Sequence, residues 1–324
     1  IEELYSLHSP LVADKILAGM AGKRNTTLRV NTLKYNIQDL MRYFREINIK
    51  FERVSFFNNA LIIKNATEKD IQKLDIYEKG YIYLQSLSSM IPPLVLDAKG
   101  NEQILDMASA PGSKTTQISA MMNNTGHIIA NELDKIRCER LKFNLNNQGA
   151  TNVEVINGYG EKLGEKYLET FDRVLLDTPC SGEGRFIAEI AGTYRNWSLK
   201  TVKELSKIQR KLIKSGYNAL KPGGIMVYST CTLNLEENDI NQLLTQTLVE
   251  MEDYINESKL DFIVNTPNKE VYILADGKKT FRVFENIISN ILKYSLEKTR
   301  VYIDLVESDK KVHISFKNIS KHQL

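Results

Sequence analysis

Between about residue 100 and residue 235 the chain alternates short apolar runs with longer helix-forming stretches, and no other feature restricts the fold as much. The runs are Gln103-Ile104-Leu105-Asp106, His127-Ile128-Ile129-Ala130-Asn131, Val153-Glu154-Val155-Ile156, Arg173-Val174-Leu175-Leu176-Asp177 and Ile225-Met226-Val227-Tyr228-Ser229. Runs of this length bounded by turn residues read as strands, and the segments between them carry apolar residues at helical spacing. Strands that alternate with helices pair in parallel, because each connection must cross the sheet. The pattern therefore predicts an α/β domain: an open, mainly parallel sheet with helices on both faces. Ligands of such sheets bind beyond the carboxyl ends of the strands.

The flanks differ. Residues 1 to about 25 read as helical, with Leu11, Val12, Ile16, Leu17 and Met20 at helical spacing. Thr27 to Asn31 and Ala60 to Ile63 read as strands around an amphipathic helix from Ile37 to Ile47, a small α+β unit whose plainest role is scaffold. A length of 324 residues fits two or three units. With 42% hydrophobic and 26% charged residues and no apolar run near the roughly 18 residues of a membrane span, the chain reads as a soluble, non-membrane protein. Nothing near Ile1 resembles a secretory signal, so a cytoplasmic location is expected, and the start at Ile points to a missing terminus. Three cysteines form no even disulfide framework and lack zinc-site spacing, so no metal is expected. A net charge of +3 permits a polyanionic partner without requiring one.

One strand-to-helix turn is built from small residues: Ala108-Ser109-Ala110-Pro111-Gly112-Ser113-Lys114, with a helix expected to begin near Thr115. Small residues let a ligand approach the backbone, and the unpaired N–H groups of a helix start suit a carboxylate or phosphate. The chain has neither Gly-x-Gly-x-x-Gly nor a phosphate-binding loop here. One strand later Glu132 is placed to accept hydrogen bonds from both hydroxyls of a ribose. The pair fits a nucleoside cofactor, although tight turns and surface carboxylates are common without one.

Cys180, in Asp177-Thr178-Pro179-Cys180-Ser181-Gly182-Glu183-Gly184, and Cys231, in Tyr228-Ser229-Thr230-Cys231-Thr232, each follow an apolar strand and so emerge on the ligand side of one sheet. A free cysteine is most often a small buried hydrophobe. Two at strand ends, one beside a carboxyl group, form a chemical pair. C5 of cytosine attacks a methyl donor only after a thiolate adds at C6 while an acid satisfies N3. Asp177 can take the second role if it is protonated or shares a proton with the bound base, which burial would favour, and Cys180, or a water it positions, can assist loss of the C5 proton. Cys138, on the helix expected from Lys135 to Asn146, reads as core.

Residues 83 to 238 resemble the RNA 5-methylcytosine methyltransferases, closest to those of bacterial small-subunit ribosomal RNA. The carrying motifs are Tyr83 to Met90, Asp106 to Thr115, Asn131-Glu132, Asp177 to Gly182, and Ser229 to Thr232 with Glu236-Glu237-Asn238. The resemblance implies a Rossmann-like fold and S-adenosylmethionine as cofactor, held by Ala108, Ser109, Ala110, Pro111, Gly112, Ser113 and Lys114 with Glu132 and Asp177. It further implies Cys231 as covalent nucleophile, Cys180 in product release and Asp177 at the base. RNA is the implied partner, ribosomal or transfer, with Leu28-Arg29-Val30-Asn31-Thr32 resembling the family's N-terminal RNA-binding region. Arg185, Phe186, Arg195 and Trp197 can stack on a flipped base or bind phosphate, although surface solvation and core packing are equally good readings for each. The family usually has an Asp near Gly158-Tyr159-Gly160, where this chain has none, and its Asp-Ala-Pro-Cys is here Asp-Thr-Pro-Cys.

From about Asp239 the likeness changes. Residues 276 to 320 resemble part of a sensor histidine kinase ATPase domain, through Phe284 to Ser295, including Asn290, and the strands Arg300 to Val306 and Lys311 to Lys317. Neither that family's glycine-rich boxes nor a phosphoacceptor histidine in helical context is found within the 324 residues. The expected division is an N-terminal RNA-binding region over 1–82, a methyltransferase domain over 83–238 and a kinase-like α+β appendage over 239–324. The alternative to an enzyme is a non-catalytic scaffold that binds RNA or ATP.

Overall fold

Five parallel strands form the central sheet of the computed structural model, which describes residues 4–5, 9–22, 24–234, 252–267, 277–308 and 311–320. Before them come helix α1 (Pro10–Ala21), strand β1 (Thr26–Val30), helix α2 (Ile37–Glu46), strands β2 (Phe51–Arg53) and β3 (Ala60–Ile63), helices α3 (Glu68–Gln72) and α4 (Asp75–Glu78), and strand β4 (Ile82–Leu84). The sheet and its helices follow: α5 (Leu87–Leu96), β5 (Gln103–Asp106), α6 (Ser113–Met121), β6 (His127–Glu132), α7 (Lys135–Gln148), β7 (Val153–Asn157), α8 (Leu163–Lys166), β8 (Phe171–Asp177), α9 (Leu199–Ala219) and β9 (Leu220–Ser229). Their order across the sheet is β7-β6-β5-β8-β9, so the direction of winding reverses between β5 and β8, where such sheets open a ligand crevice.

Period-two alternation explains why both faces are covered. Ile104, Ile128, Leu175 and Val227 pack with Leu96 of α5 and Ile118 of α6, whereas Leu105, Ile129, Val174 and Leu176 pack with Leu163 of α8 and Leu212 and Ile213 of α9. Each such side chain removed from water contributes roughly 1.5–3 kcal/mol. The sequence reading placed the last strand at Ile225, whereas pairing begins at Leu220. An irregularity opposite Phe171 and Arg173 absorbs Pro222-Gly223-Gly224, with Gly223 at φ +81°.

The N-terminal part is an antiparallel sheet in the order β2-β3-β1-β4, covered by α2. Ile37, Leu40 and Phe44 recur at helical spacing and bury one face of α2 against Leu28, Val30, Leu61 and Ile63. Asn36 caps that helix by accepting from the Asp39 amide at 2.9 Å.

The chain divides into two compact units, residues 1–197 with 211–231, and residues 198–210 with 232–324. In the second, helix α10 (Glu252–Glu257), strand β10 (Asp261–Asn265), helix α11 (Gly277–Tyr294) and strands β11 (Arg300–Ser308) and β12 (Lys311–Lys317) form a three-stranded sheet in the order β10-β11-β12. Phe284, Ile288 and Ile291 of α11 pack on Val301, Ile303 and Leu305, while Asn290 is exposed. Among the described residues, no helix is long and apolar enough to cross a membrane.

Candidate active site

The carboxyl ends of β5, β6, β8 and β9 carry Asp106, Glu132, Asp177 and Ser229 in turn. Parallel register sets Asp177 beside Ser229, and the Ser229 hydroxyl donates to Asp177 Oδ1 at 2.7 Å. Lys114, from the first turn of α6, donates its ammonium to Asp177 Oδ2 at 2.6 Å. Both carboxylate oxygens are thus engaged. The side chain stays 34% exposed.

Past the ends of β8 and β9 the two cysteine loops meet. Cys180 and Cys231 lie with their sulfurs 3.0 Å apart, and the Cys231 amide donates to Cys180 Sγ at 3.2 Å. The Cys180 thiol pulls the Cys231 pKa down to about 7, helped by the Arg185 cation, against burial and the nearby Asp177 carboxylate. A thiol titrating there is substantially thiolate near neutral pH. The loops are tied through the backbone as well: Gly184 N donates to Cys231 O at 2.9 Å, and a Cβ at Gly184 would come within 2.9 Å of that oxygen. Glu183, nearly buried, accepts from Ser181 Oγ at 2.8 Å and from Trp197 Nε1 at 2.6 Å. Trp197 therefore anchors the Cys180 loop while keeping 37% of its surface exposed.

The small-residue loop between β5 and α6 is held closed by its own backbone. Ser109 N donates to Asn131 O at 2.9 Å, Ser109 Oγ to Asp106 O at 2.8 Å, and Gly112 N to Ser109 O at 2.8 Å. Gly112 has φ +105°, a conformation that favours glycine, and a Cβ there would lie 2.9 Å from Leu141 Cδ1, which would have to shift. The helix begins at Ser113, two residues before the expected start. Asp106 is fully buried and accepts from Thr115 Oγ1 at 2.7 Å, and desolvation pushes its pKa up to about 6.

Glu132 keeps only 4% of its surface exposed. Its Oε1 accepts from Asp134 N at 3.0 Å, and Arg137 lies 3.4 Å from each oxygen, yet Oε2 has no hydrogen-bond partner. At the end of β7 stands Asn157, which donates to Glu132 O at 2.8 Å and Leu133 O at 2.7 Å, close to where the resemblance leads one to expect an Asp. The Thr178 hydroxyl, at the position of the family's Ala, is buried without a partner. Cys138 sits apart in α7, donating to Glu132 O at 3.4 Å. Glu236, Glu237 and Asn238 lie outside the described residues.

A family model described as 16S rRNA methyltransferase RsmB/F matches residues 93–286. The chain belongs to this family. Among its relatives, ribosomal RNA small subunit methyltransferase F of Aeromonas salmonicida is 38% identical over 245 residues, covering 74% of this chain and 51% of that protein. The protein of the same name from Escherichia coli K12 is 39% identical over 238 residues, covering 72% and 50%. The chain thus spans about half the length of the curated relatives it matches. Among solved structures, a methyltransferase homologue from Pyrococcus horikoshii has a TM-score of 0.62 at 29% identity, covering 88% of this chain and 94% of that one. NSun6 from the same organism, determined with SFG, has a TM-score of 0.66 at 24% identity over 82% and 90%, a likeness that shows the fold alone.

The family's methyl donor is S-adenosylmethionine. The residues present fit it: a buried carboxylate at Glu132 with a free acceptor oxygen suits ribose hydroxyls, and the glycine-bearing loop leads straight into a helix N-terminus. Sequence reading of the individual residues missed Asp106, Ser229, Glu183 and Asn157. Asp106 and Ser229 carried a usable signal, since each ends an expected strand on the ligand side of the sheet.

Proposed function

We propose that this chain is an S-adenosylmethionine-dependent RNA cytosine-5 methyltransferase acting on ribosomal RNA. The observation that carries the reading is the Cys180–Cys231 contact beside the Lys114–Asp177 pair. The Cys180 hydrogen bond lowers the Cys231 pKa where burial alone would raise it, which suits a nucleophile.

The Cys231 thiolate adds to C6 of the cytosine, and its electron pair displaces the C5–C6 π-bond towards C5 while N3 takes the proton that the bound base shares with Asp177. Lys114 and Ser229 hold the Asp177 carboxyl in place for that exchange. S-adenosylmethionine supplies the methyl group, and Glu132 with the loop Ala108 to Lys114 would hold it. With Cys231 bonded to C6, Cys180 releases its proton to solvent, and its thiolate, or a water it positions, takes the proton left on C5. The resulting electron pair re-forms the C5–C6 double bond and expels Cys231 as thiolate, while the N3 proton returns to Asp177. Arg185, whose cation acts on Cys231, and Trp197, tied to the Cys180 loop through Glu183, are the candidates to meet the flipped base.

The relatives' name, ribosomal RNA small subunit methyltransferase, is the reason for ribosomal rather than transfer RNA, and a cytoplasmic location follows from that substrate. The test is a denaturing gel of protein incubated with S-adenosylmethionine and small-subunit ribosomal RNA. Cys180→Ala is expected to accumulate a covalent adduct and Cys231→Ala to form none. An adduct that survives Cys231→Ala overturns the assignment.

A further inference from the structure

Arg29 lies in the segment that resembles an RNA-binding region, yet it is 1% exposed and cannot reach a nucleic acid. Its Nε donates to Gln85 Oε1 at 2.8 Å, and its Nη2 donates to Thr116 Oγ1 at 2.7 Å and Ser113 O at 3.3 Å. The guanidinium carbon sits 5.1 Å from the centre of the Tyr83 ring. All of these partners are neutral, and no carboxylate lies at ion-pair distance among the described residues. Burial lowers the pKa only to about 10, so the group is a cation at neutral pH. A buried cation without a counterion is costly, and a neutral donor would satisfy the same three acceptors.

What the charge faces explains its presence. Thr116 and Ser113 form the first turn of α6, and the Thr116 hydroxyl in turn donates to Gly112 O at 2.6 Å, in the cofactor loop. A second line reaches the same loop: Asn144 donates to Pro111 O at 2.7 Å and to Tyr83 Oη at 3.4 Å. Arg29 therefore fixes the loop's geometry from behind, and its charge adds to the partial positive charge of the α6 N-terminus in a low-dielectric setting. Two like potentials placed together favour an anion in front of them.

We propose that Arg29 is a positioning residue for the cofactor, fixing the first turn of α6 and favouring the carboxylate of S-adenosylmethionine there. This rests on the cofactor reading of the loop given above.

The test measures, by calorimetry on the full chain, the Kd of S-adenosylhomocysteine and of 5′-methylthioadenosine, which keeps the nucleoside and lacks the amino-acid end. Arg29→Met is expected to weaken S-adenosylhomocysteine about tenfold and methylthioadenosine less than about twofold, and Arg29→Lys to restore most of the loss. Thr116→Val, which removes only the hydroxyl link, is expected to show the same ligand-selective loss on a smaller scale and serves if Arg29→Met does not fold. Equal losses for both ligands would show a merely structural role and overturn the proposal, as would no loss in any variant. If the wild-type chain binds neither compound, the cofactor reading falls first and this inference with it.

Discussion

Replacing Cys180 by Ala removes the thiol that does most to hold Cys231 near pKa 7, down from an ordinary 9.0. Burial and Asp177 both push the other way, and only Arg185 and Lys114 remain to oppose them, so the Cys231 pKa is expected to rise towards 9. At pH 7 the thiolate fraction then drops from about one half to about one hundredth. Thiolates of higher pKa are intrinsically better nucleophiles, by roughly eightfold over two units at a Brønsted slope near 0.45, so the net loss of alkylation rate at pH 7 is only about sixfold. The midpoint of the pH–rate profile is therefore the sharper readout. Cys231 is followed by iodoacetamide labelling and peptide mass mapping between about pH 5.5 and pH 10, where labelling also titrates. Cys138, whose pKa burial raises, is the slow internal control. A Cys231 midpoint that does not move in Cys180→Ala would refute the claim that the 3.0 Å sulfur contact sets its reactivity.

Two further outcomes follow from burial. Glu132→Gln loses the charge of a carboxylate whose Oε2 lacks a hydrogen-bond partner, so the Kd for S-adenosylhomocysteine should rise about tenfold to a hundredfold, roughly 1.5–3 kcal/mol. Methylthioadenosine should lose as much, unlike the pattern expected at Arg29, and a change below twofold by calorimetry would remove the ribose role. Asp106 titrates near 6 in the folded chain and near 3.8 unfolded, so the folded state holds a proton the unfolded state has released. Its contribution to stability is full below about pH 4, declines as pH rises through 6 and is flat beyond, a span of up to ~3 kcal/mol. Urea unfolding of Asp106→Asn at pH 4.5 and 7 should show that decline reduced, and equal slopes in both proteins would contradict it.

Much of the central sheet was legible because parallel strands buried on both faces are continuous apolar runs that end in turns. Gln103–Asp106 was read with the bounds the structure has, and His127, Val153 and Arg173 fell within two residues of strand starts. The ends of those runs pointed to Glu132, Asp177, Cys180 and Cys231 as side chains on the ligand side, because a parallel sheet puts all its carboxyl ends together. The start of β9 was not legible, since Pro222-Gly223-Gly224 reads as a turn and pairs with β8 only through an irregularity.

Partners were decided by tertiary structure alone. Cys180 and Cys231 are 51 residues apart, and nothing in either segment says that their sulfurs touch or that one thiol lowers the pKa of the other. Trp197 offers an aromatic face in the sequence, whereas its indole N–H is committed to Glu183. Arg29 shows the limit most clearly: its segment resembles an RNA-binding region, and only tertiary contacts with Gln85, Thr116 and Ser113 show that it is buried among neutral acceptors. Periodicity states which face of an element a residue occupies, because that depends on local geometry. Which groups meet on that face, and in what dielectric, depends on contacts between segments distant in the chain.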